Sequence, residues 1–146
     1  MSRPMKVPVA TTFLVRDSCL CLHARRAARK LARVFDDVLR PYGLTNGQFS
    51  LLMSLNRPKP SGMGSVASLL AMDRTTLTAA LKPLERRGLI GIVADPEDKR
   101  SRLLSLTRSG HRLLIRVLPA WKETHSMIEG LLPNADRLRS DLQKLS

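Results

Sequence analysis

The chain has 146 residues, of which 43% are hydrophobic, and this is enough for one domain with a buried core. Its 25 Lys and Arg residues outnumber 12 Asp and Glu residues, so the formal net charge is +13. This excess points to a polyanionic partner, either nucleic acid or an anionic membrane surface, and no stretch approaches the ~20 apolar residues of a membrane-spanning helix.

The N-terminal segment combines early positive charge with apolar residues, as a signal peptide does. Pro8 interrupts the apolar run, and Arg16 and Asp17 end it without a cleavage site of the A-x-A type. We therefore expect residues 1–13 to form a disordered arm or an arm that wraps around a partner subunit. We also expect the protein to be cytoplasmic.

A first long helix is predicted from about Asp17 to Arg40, because apolar residues recur along one stripe. They are Leu20, Ala24, Ala27, Leu31, Val34, Phe35 and Val38. Five cations also lie on this helix, namely Arg25, Arg26, Arg29, Lys30 and Arg33. They have two interpretations. One is a solvated face that attracts DNA at long range, and the other is a site where Arg25, Arg26 and Arg29 hold an anionic ligand through its carboxylate or phosphate.

The two cysteines, Cys19 and Cys21, lie two positions apart in the predicted first helix. Side chains at i and i+2 point away from each other, so a disulfide between them is disfavoured, in keeping with a reducing cytosol. His23, His111 and His125 are not grouped with other metal ligands, so we expect no metal site and no cofactor. The chain also lacks common phosphate-binding and catalytic motifs, and we do not expect an enzyme.

The first helix is predicted to end at Pro41 and Gly43, and a second helix runs from Thr45 to about Leu55. Thr45 and Gln48 have the spacing of a capping box, in which each side chain accepts a hydrogen bond from the other residue's backbone N–H. Residues 57–62, of sequence RPKPSG, are predicted to be a loop.

Two helices with a tight turn between them are predicted next, in the arrangement of a helix-turn-helix. Val66, Leu69 and Leu70 give the short first helix an apolar face. Ala71 and Met72 leave room for only a brief turn before the second helix begins.

The second helix has two distinct faces. Asp73 is a suitable N-cap, and leucines recur behind it at i, i+4 and i+7 as Leu77, Leu81 and Leu84. The opposite face is small and polar, so the helix can rest on a core and also lie in a DNA major groove. The candidate contacts to this groove and its flanking phosphates are Arg74, Thr75, Thr76, Thr78 and Lys82. Pro83 removes one backbone hydrogen bond from the helix, and we expect a kink near Ala79 rather than a break.

A β-hairpin is predicted after Gly88, which is placed to end the helix, from two apolar runs over 90–93 and 103–106. We call the hairpin and its loop the wing. The loop tip carries Lys99, Arg100 and Arg102, which suit a narrow minor groove because its negative potential attracts arginine. Asp98 is placed to hold Arg100 from two residues away. Taken alone, such a sequence is also typical of a charged surface loop that contacts only solvent.

Beyond the wing, Thr107 is predicted to cap a long helix that bends at Pro119. Its apolar side consists of Leu114, Val117, Leu118, Trp121 and Ile128. Pro133 and Asn134 begin a last helix, whose stripe is formed by Leu138, Leu142 and Leu145. The pattern as a whole predicts a mainly α chain with a small β-hairpin wing.

Three segments in sequence resemble the MarR family of bacterial transcriptional regulators, and the resemblance spans roughly residues 18–132. They are GLTNGQFSLL at 43–52, DRTTLTAALKPLERRGLI at 73–90 and DPEDKRSRLLSLTRSG at 95–110. The resemblance implies a winged helix-turn-helix with N- and C-terminal dimerisation helices. Its parts would be a first dimerisation helix with its arm, the DNA-binding module and the C-terminal dimerisation helices, over residues 1–40, 41–107 and 108–146.

In that family the helix matching 73–87 enters the major groove, and the arginine matching Arg100 enters the minor groove. The resemblance therefore implies a homodimer that binds double-stranded DNA. We call the helix that enters the major groove the reading helix. A two-fold dimer places its two reading helices about one DNA turn, or ~34 Å, apart, and this implies a pseudo-palindromic operator. We expect a repressor that a small anionic or aromatic ligand releases from this operator.

The alternative is an organic-hydroperoxide sensor of the same fold, because such sensors carry a reactive cysteine near the position of Cys21, and Cys19 lies beside it. Those sensors hold the thiolate with tyrosines, whereas this chain has Phe35 and Asn46 at the matching positions. A buried, structural cysteine is therefore the preferred interpretation. An architectural DNA binder without an effector and a basic membrane-surface protein are the remaining classes.

Overall fold

The computed structural model describes residues 5–146. The chain divides into two compact units, one that ends at Val34 and one over Phe35–Ser146. The helices are α1 (Val9–Ser18), α2 (Leu20–Leu39), α3 (Asn46–Ser54), α4 (Met63–Leu69), α5 (Arg74–Arg86), α6 (Arg108–Glu129) and α7 (Ala135–Gln143), with a 3-10 turn at Arg40–Tyr42. The strands are β1 (Ser61–Gly62), β2 (Ile90–Ala94) and β3 (Arg102–Leu106).

The N-terminal segment is helical from Val9, so the prediction of a disordered arm is wrong there; residues 1–4 of that predicted arm lie outside the described residues. Pro8 is the N-cap of α1. Proline does not destabilise the helix there, because its fixed φ is compatible with a helix start and no helical hydrogen bond requires its N–H. The predicted first helix is also not continuous. Cys19 has an extended backbone, with φ −69° and ψ 109°, and it separates α1 from α2.

The cysteines are more exposed than the sequence suggested. Cys21 is exposed, Cys19 is half-buried, and both thiols are free. The expected burial is therefore wrong for Cys21 and only half met for Cys19, and a structural rather than reactive role stays a prediction. The reason is local, because residues 20–30 are exposed almost throughout and offer no core in which a thiol could be buried.

The core of the second unit is built from leucines that come from most of its elements. The fully buried side chains include Leu39, Leu52, Leu77, Leu84, Leu104, Val66 and Val117. The predicted apolar stripe of α5 is confirmed, since Leu77, Leu81 and Leu84 all lie in this core. Burial of each such side chain contributes about 1.5–3 kcal/mol, so the stripe fixes which side of α5 faces outward.

The start of α3 is held by two sets of hydrogen bonds. The predicted capping box is confirmed, because Thr45 and Gln48 exchange both of its hydrogen bonds. In addition, Asp36 Oδ1 accepts from the backbone N–H of Asn46 at 2.7 Å and from its Nδ2 at 2.8 Å. The backbone hydrogen bond first, and the side-chain hydrogen bond second, hold the pKa of Asp36 below its ordinary value. The ionised carboxylate thus ties the end of α2 to α3.

The predicted hairpin is confirmed, with β2 and β3 antiparallel from the pair Ile90 and Leu106 to the pair Ala94 and Arg102. β3 also pairs with β1, whose residues were predicted to be loop. That prediction is wrong because a two-residue strand shows no periodicity and pairs with a segment some 40 residues away. β3 is therefore the central strand of a three-stranded sheet.

The helix after the wing begins as predicted. Thr107 Oγ1 accepts from the backbone N–H of Gly110 at 3.1 Å and donates to the Gly88 carbonyl at 2.6 Å. α6 then continues through Pro119 without interruption. In α7, Asn134 Oδ1 accepts from the N–H of Arg137, and the predicted start of this helix is confirmed.

Candidate nucleic-acid interface

The turn between α4 and α5 is set by backbone geometry. The N–H of Ala71 donates to the Ser68 carbonyl at 3.2 Å and the N–H of Met72 to the Ala67 carbonyl at 2.9 Å, which closes α4. Ala71 reaches this arrangement at φ +52°, in the left-handed region. One predicted core position is wrong: Val66 is 2% exposed but Leu69 is 58% exposed. α4 has only seven residues, and its buried side is formed by Val66 and Ala67.

The N-terminus of α5 is capped by Asp73, as predicted. The Thr76 N–H donates to Asp73 Oδ1 at 2.7 Å, and the Thr76 hydroxyl donates to Oδ2 at 2.8 Å. These two hydrogen bonds, the backbone one first, hold the pKa of Asp73 below its ordinary value. The negative charge also lies at the positive end of the helix dipole. The first turn of α5 is thus fixed in position.

The outer face of α5 carries the predicted contact residues, and they differ in what their side chains already do. The Thr76 hydroxyl is used in the cap, and the Thr78 hydroxyl donates to the Arg74 carbonyl at 2.8 Å. Thr75 is exposed, and within residues 5–146 its hydroxyl has no protein partner. Arg74 and Lys82 are exposed as well. Thr75 therefore offers the freest hydroxyl on this face.

The C-terminal end of α5 is equally well defined. The helix continues through Pro83, so the expectation that it does not break is confirmed. Gly88 follows at φ +69°; its N–H donates to the Glu85 carbonyl at 2.9 Å, and the Leu89 N–H donates to the Leu84 carbonyl at 3.0 Å. This is a Schellman motif, which ends α5 and leads directly into β2.

The loop of the wing is shaped by its own carboxylates. Asp98 Oδ1 accepts from the backbone N–H of Arg100 at 3.0 Å, and Asp95 Oδ1 accepts from that of Glu97 at 2.9 Å. Asp98 therefore holds the backbone of Arg100 rather than its guanidinium group. Lys99, Arg100 and Arg102 are all exposed. Asp95, whose role the sequence did not reveal, is the second residue that shapes the loop.

A separate cavity of about 550 Å³ lies among α3, the loop after it, the end of α4 and α6. Trp121 lines it and stacks on Phe49 at 5.8 Å and on His125 at 4.6 Å between ring centroids. His125 Nδ1 lies 3.3 Å from Glu129. Arg57 brings a positive charge to the same cavity, which we call the Trp121 cavity. The sequence showed Trp121 only as an apolar position, because Phe49, which stacks on it, lies 72 residues away in the chain.

The two positions that match the sensor tyrosines have other contacts here. Phe35 stacks on Trp121 with 6.2 Å between ring centroids, and Asn46 donates to Asp36. Neither residue carries a hydroxyl that could stabilise a thiolate. This does not favour a hydroperoxide sensor.

The cations of the predicted first helix lie on α2 within the first unit. Arg26 and Arg29, with Lys30, Arg33 and His23, line an open depression of about 570 Å³, whereas Arg25 is exposed outside it.

In residues 5–146, no three His, Cys, Asp or Glu side chains are grouped closely enough to bind a metal ion. None of the helices described over that range is both long and apolar enough to cross a membrane.

The helices α4 and α5 with their turn, followed by the β2–β3 hairpin, define a winged helix-turn-helix protein. The MarR family model matches residues 44–101, which extend from just before α3 to the end of the wing loop. MosR, a transcriptional regulator of M. tuberculosis solved in complex with DNA, is 35% identical, with 88% of this chain and 93% of that one covered and a TM-score of 0.81. The chain belongs to the MarR family of transcriptional regulators.

The relatives of this chain include both a repressor and an activator of transcription. The repressor NicR of Pseudomonas putida is 27% identical over 114 residues, which are 78% of this chain and 72% of NicR. The activatory protein BadR of Rhodopseudomonas palustris is 39% identical over 74 residues, which are 49% of this chain and only 42% of BadR.

Proposed function

We propose that the protein is a homodimeric repressor that binds a pseudo-palindromic operator, with α5 in the major groove and the wing in the adjacent minor groove. The observation that carries this proposal is the two-faced helix α5. Leu77, Leu81 and Leu84 anchor one face in the core, while the other presents exposed polar side chains. The major groove admits one such helix. The likeness to MosR, whose structure includes DNA, supports this partner.

The side chains of α5 divide into two roles. Thr75 reads a base edge, since its hydroxyl is free to donate and to accept. Arg74 and Lys82 contact phosphates on either side of the groove. Thr76 and Thr78, whose hydroxyls already donate to Asp73 and to the Arg74 carbonyl, hold the first turns of α5 in position for these contacts. In this division Thr75 determines the preference for one DNA sequence, whereas Arg74 and Lys82 supply affinity that does not depend on sequence.

The homodimer is supported by apolar side chains on the terminal helices. On α7, Leu138 and Leu142 are 41% and 47% exposed although they form one stripe, and Leu145, which was predicted to continue this stripe, lies just beyond the end of the helix and is 67% exposed. On α1, Phe13 and Leu14 are exposed as well. A second copy of the chain would cover these residues and bring two α5 helices to half-sites about 34 Å apart.

Arg100→Ala is expected to weaken operator binding roughly tenfold, because arginine in a narrow minor groove contributes about 1–3 kcal/mol. The melting temperature is expected to change little, since the side chain is exposed and in the described part of the chain it forms no ion pair. Fluorescence anisotropy and a thermal melt measure the two quantities. Arg137→Ala on α7 removes the same charge and serves as the control. A large fall in melting temperature, or equal weakening in the control, would show that the wing does not act as proposed.

The Trp121 cavity is our proposed site for a small aromatic acid that releases the operator. An aromatic ring would stack beside Trp121, and its carboxylate would meet Arg57. The cavity is also lined by Leu69 and Leu70 at the end of α4. A bound ring would therefore favour conformations in which α4 and α5 shift, so that the two α5 helices of the dimer no longer fit two successive major grooves. The cations Arg25, Arg26 and Arg29 are the alternative anion partners.

Trp121 is the single tryptophan of the chain, so its fluorescence reports on this cavity directly. We expect benzoate to quench it saturably and more strongly than benzamide, and Arg57→Gln to weaken benzoate binding roughly tenfold by removing a charged hydrogen bond. The matched control is Arg26→Gln. If Arg26→Gln removes the response and Arg57→Gln does not, the ligand site lies on α2 instead.

A further inference from the structure

Three arginines from different parts of the second unit line one cavity of about 400 Å³. Arg87 directly follows α5, and Arg112 and Arg116 lie one turn apart on α6. Tyr42 and Ser109 bring hydroxyl groups to the same space. No Asp or Glu lines this cavity, and over the described range 5–146 none of the three arginines forms an ion pair. We call it the arginine cavity.

Arg87 is held at one edge of the cavity by a backbone contact. Its Nη1 donates to the Gly43 carbonyl at 2.7 Å. Gly43 is at φ +70°, and a Cβ added there would lie 3.1 Å from Nη2 of Arg87, so the guanidinium lies close against the turn. A guanidinium group has five N–H donors, and this hydrogen bond uses one. The others remain available to a ligand.

The chemistry of the cavity selects an oxyanion. Guanidinium groups match carboxylate and phosphate oxygens in a bidentate geometry, and three of them near each other gain from any anion that relieves their repulsion. Ser109 lies in the first turn of α6, where the helix dipole also favours negative charge. Leu89 and Leu113, both buried, also line the cavity, whereas Arg87, Arg112 and Arg116 are exposed and can be reached by a ligand from solvent.

We propose that the arginine cavity binds the phosphate or carboxylate group of a small free metabolite, at a site separate from the Trp121 cavity and from α5's outer face. A bound oxyanion competes with the Gly43 carbonyl for Arg87. Because Arg87 is the residue that follows α5, this competition loosens the end of the reading helix and lowers operator affinity. That second step rests on the proposed function, whereas binding of the anion does not.

The binding step is tested by calorimetric titration of the full chain with inorganic phosphate, at constant ionic strength and against chloride. We expect saturable binding that the double variant Arg112→Gln/Arg116→Gln weakens at least tenfold. Arg108→Gln, one turn earlier on α6 and outside the cavity, is the matched control and is expected to bind as the wild type does. Equal weakening in Arg108→Gln, or no binding above chloride in the wild type, would overturn the proposal. Thermal melts of all three proteins establish that they are folded.

The coupling step is tested by operator binding with and without phosphate. We expect phosphate to lower operator affinity severalfold in the wild type and to have no effect on the double variant. If the double variant loses operator affinity without phosphate while Arg108→Gln does not, the arginines hold a DNA phosphate and the proposal fails. If phosphate binds as expected but no operator is bound at all, the anion site stands and the proposed function fails.

Discussion

Replacing Gly110 with alanine is expected to destabilise the fold by roughly 3 kcal/mol, although the substitution improves local helix propensity. A Cβ at this position would lie 2.2 Å from the Leu89 carbonyl oxygen and 3.2 Å from Leu106 Cδ2. The carbonyl has no freedom to move, because it accepts from the Thr107 N–H at 3.1 Å. The start of α6 therefore packs against the start of β2 at a distance that only glycine allows.

The matched control for this prediction is Gly47→Ala. Gly47 is also in the first turn of a helix, but the nearest atom to its added Cβ is Thr45 Oγ1 at 4.0 Å. Without a clash, the gain in helix propensity is expected to stabilise the protein by up to about 1 kcal/mol. Urea unfolding followed by circular dichroism measures both changes. An unchanged or higher midpoint for Gly110→Ala would contradict the packing described here.

Thr75→Val and Lys82→Ala are expected to weaken DNA binding in two different ways. Valine has the shape of threonine but no hydroxyl, so Thr75→Val should lower the preference for operator over random duplex by tenfold or more. Lys82→Ala should weaken binding to both DNAs alike. It should also reduce the slope of log affinity against log salt by about 2, since a dimer loses two phosphate contacts of about 0.9 each.

The measurement is anisotropy of both variants on operator and random duplex over a range of salt concentrations. Thr78→Val is the control for the hydroxyl change, because the Thr78 hydroxyl already donates to the Arg74 carbonyl. Its preference for operator should stay close to that of the wild type. If Thr75→Val weakens both DNAs equally, Thr75 contacts the DNA backbone and sequence is read elsewhere.

The elements that form the candidate interface could be predicted from the sequence because their signals are local. Asp73 and Thr107 cap helices within three residues of themselves. Leu77, Leu81 and Leu84 mark a buried stripe within two turns, and Gly88 marks a helix end. Such features depend only on local hydrogen bonds and residue spacing, so they can be predicted without a structure.

The remaining features depend on contacts between distant segments. β1 is defined by its pairing with β3, and Leu69 is exposed although it lies three residues after the buried Val66. The stack of Trp121 on Phe49 joins residues 72 positions apart, and the arginine cavity combines Tyr42, Arg87 and Arg112 from separate elements, so no periodicity in the sequence reveals either feature. The exposure of Cys21 has the same cause, because the burial of a helix residue depends on which elements pack against that helix and not on the helix itself.

The most direct test of the proposed repressor is the affinity of the wild-type protein for duplex DNA from upstream of its own gene and for random duplex of equal length. Anisotropy at two or more salt concentrations gives both affinities and their salt dependence. We predict a clear preference for one upstream pseudo-palindrome, occupied by one dimer, and a steep loss of affinity with salt for both DNAs. Equal affinity for upstream and random DNA would contradict a sequence-specific regulator and would leave a general DNA binder.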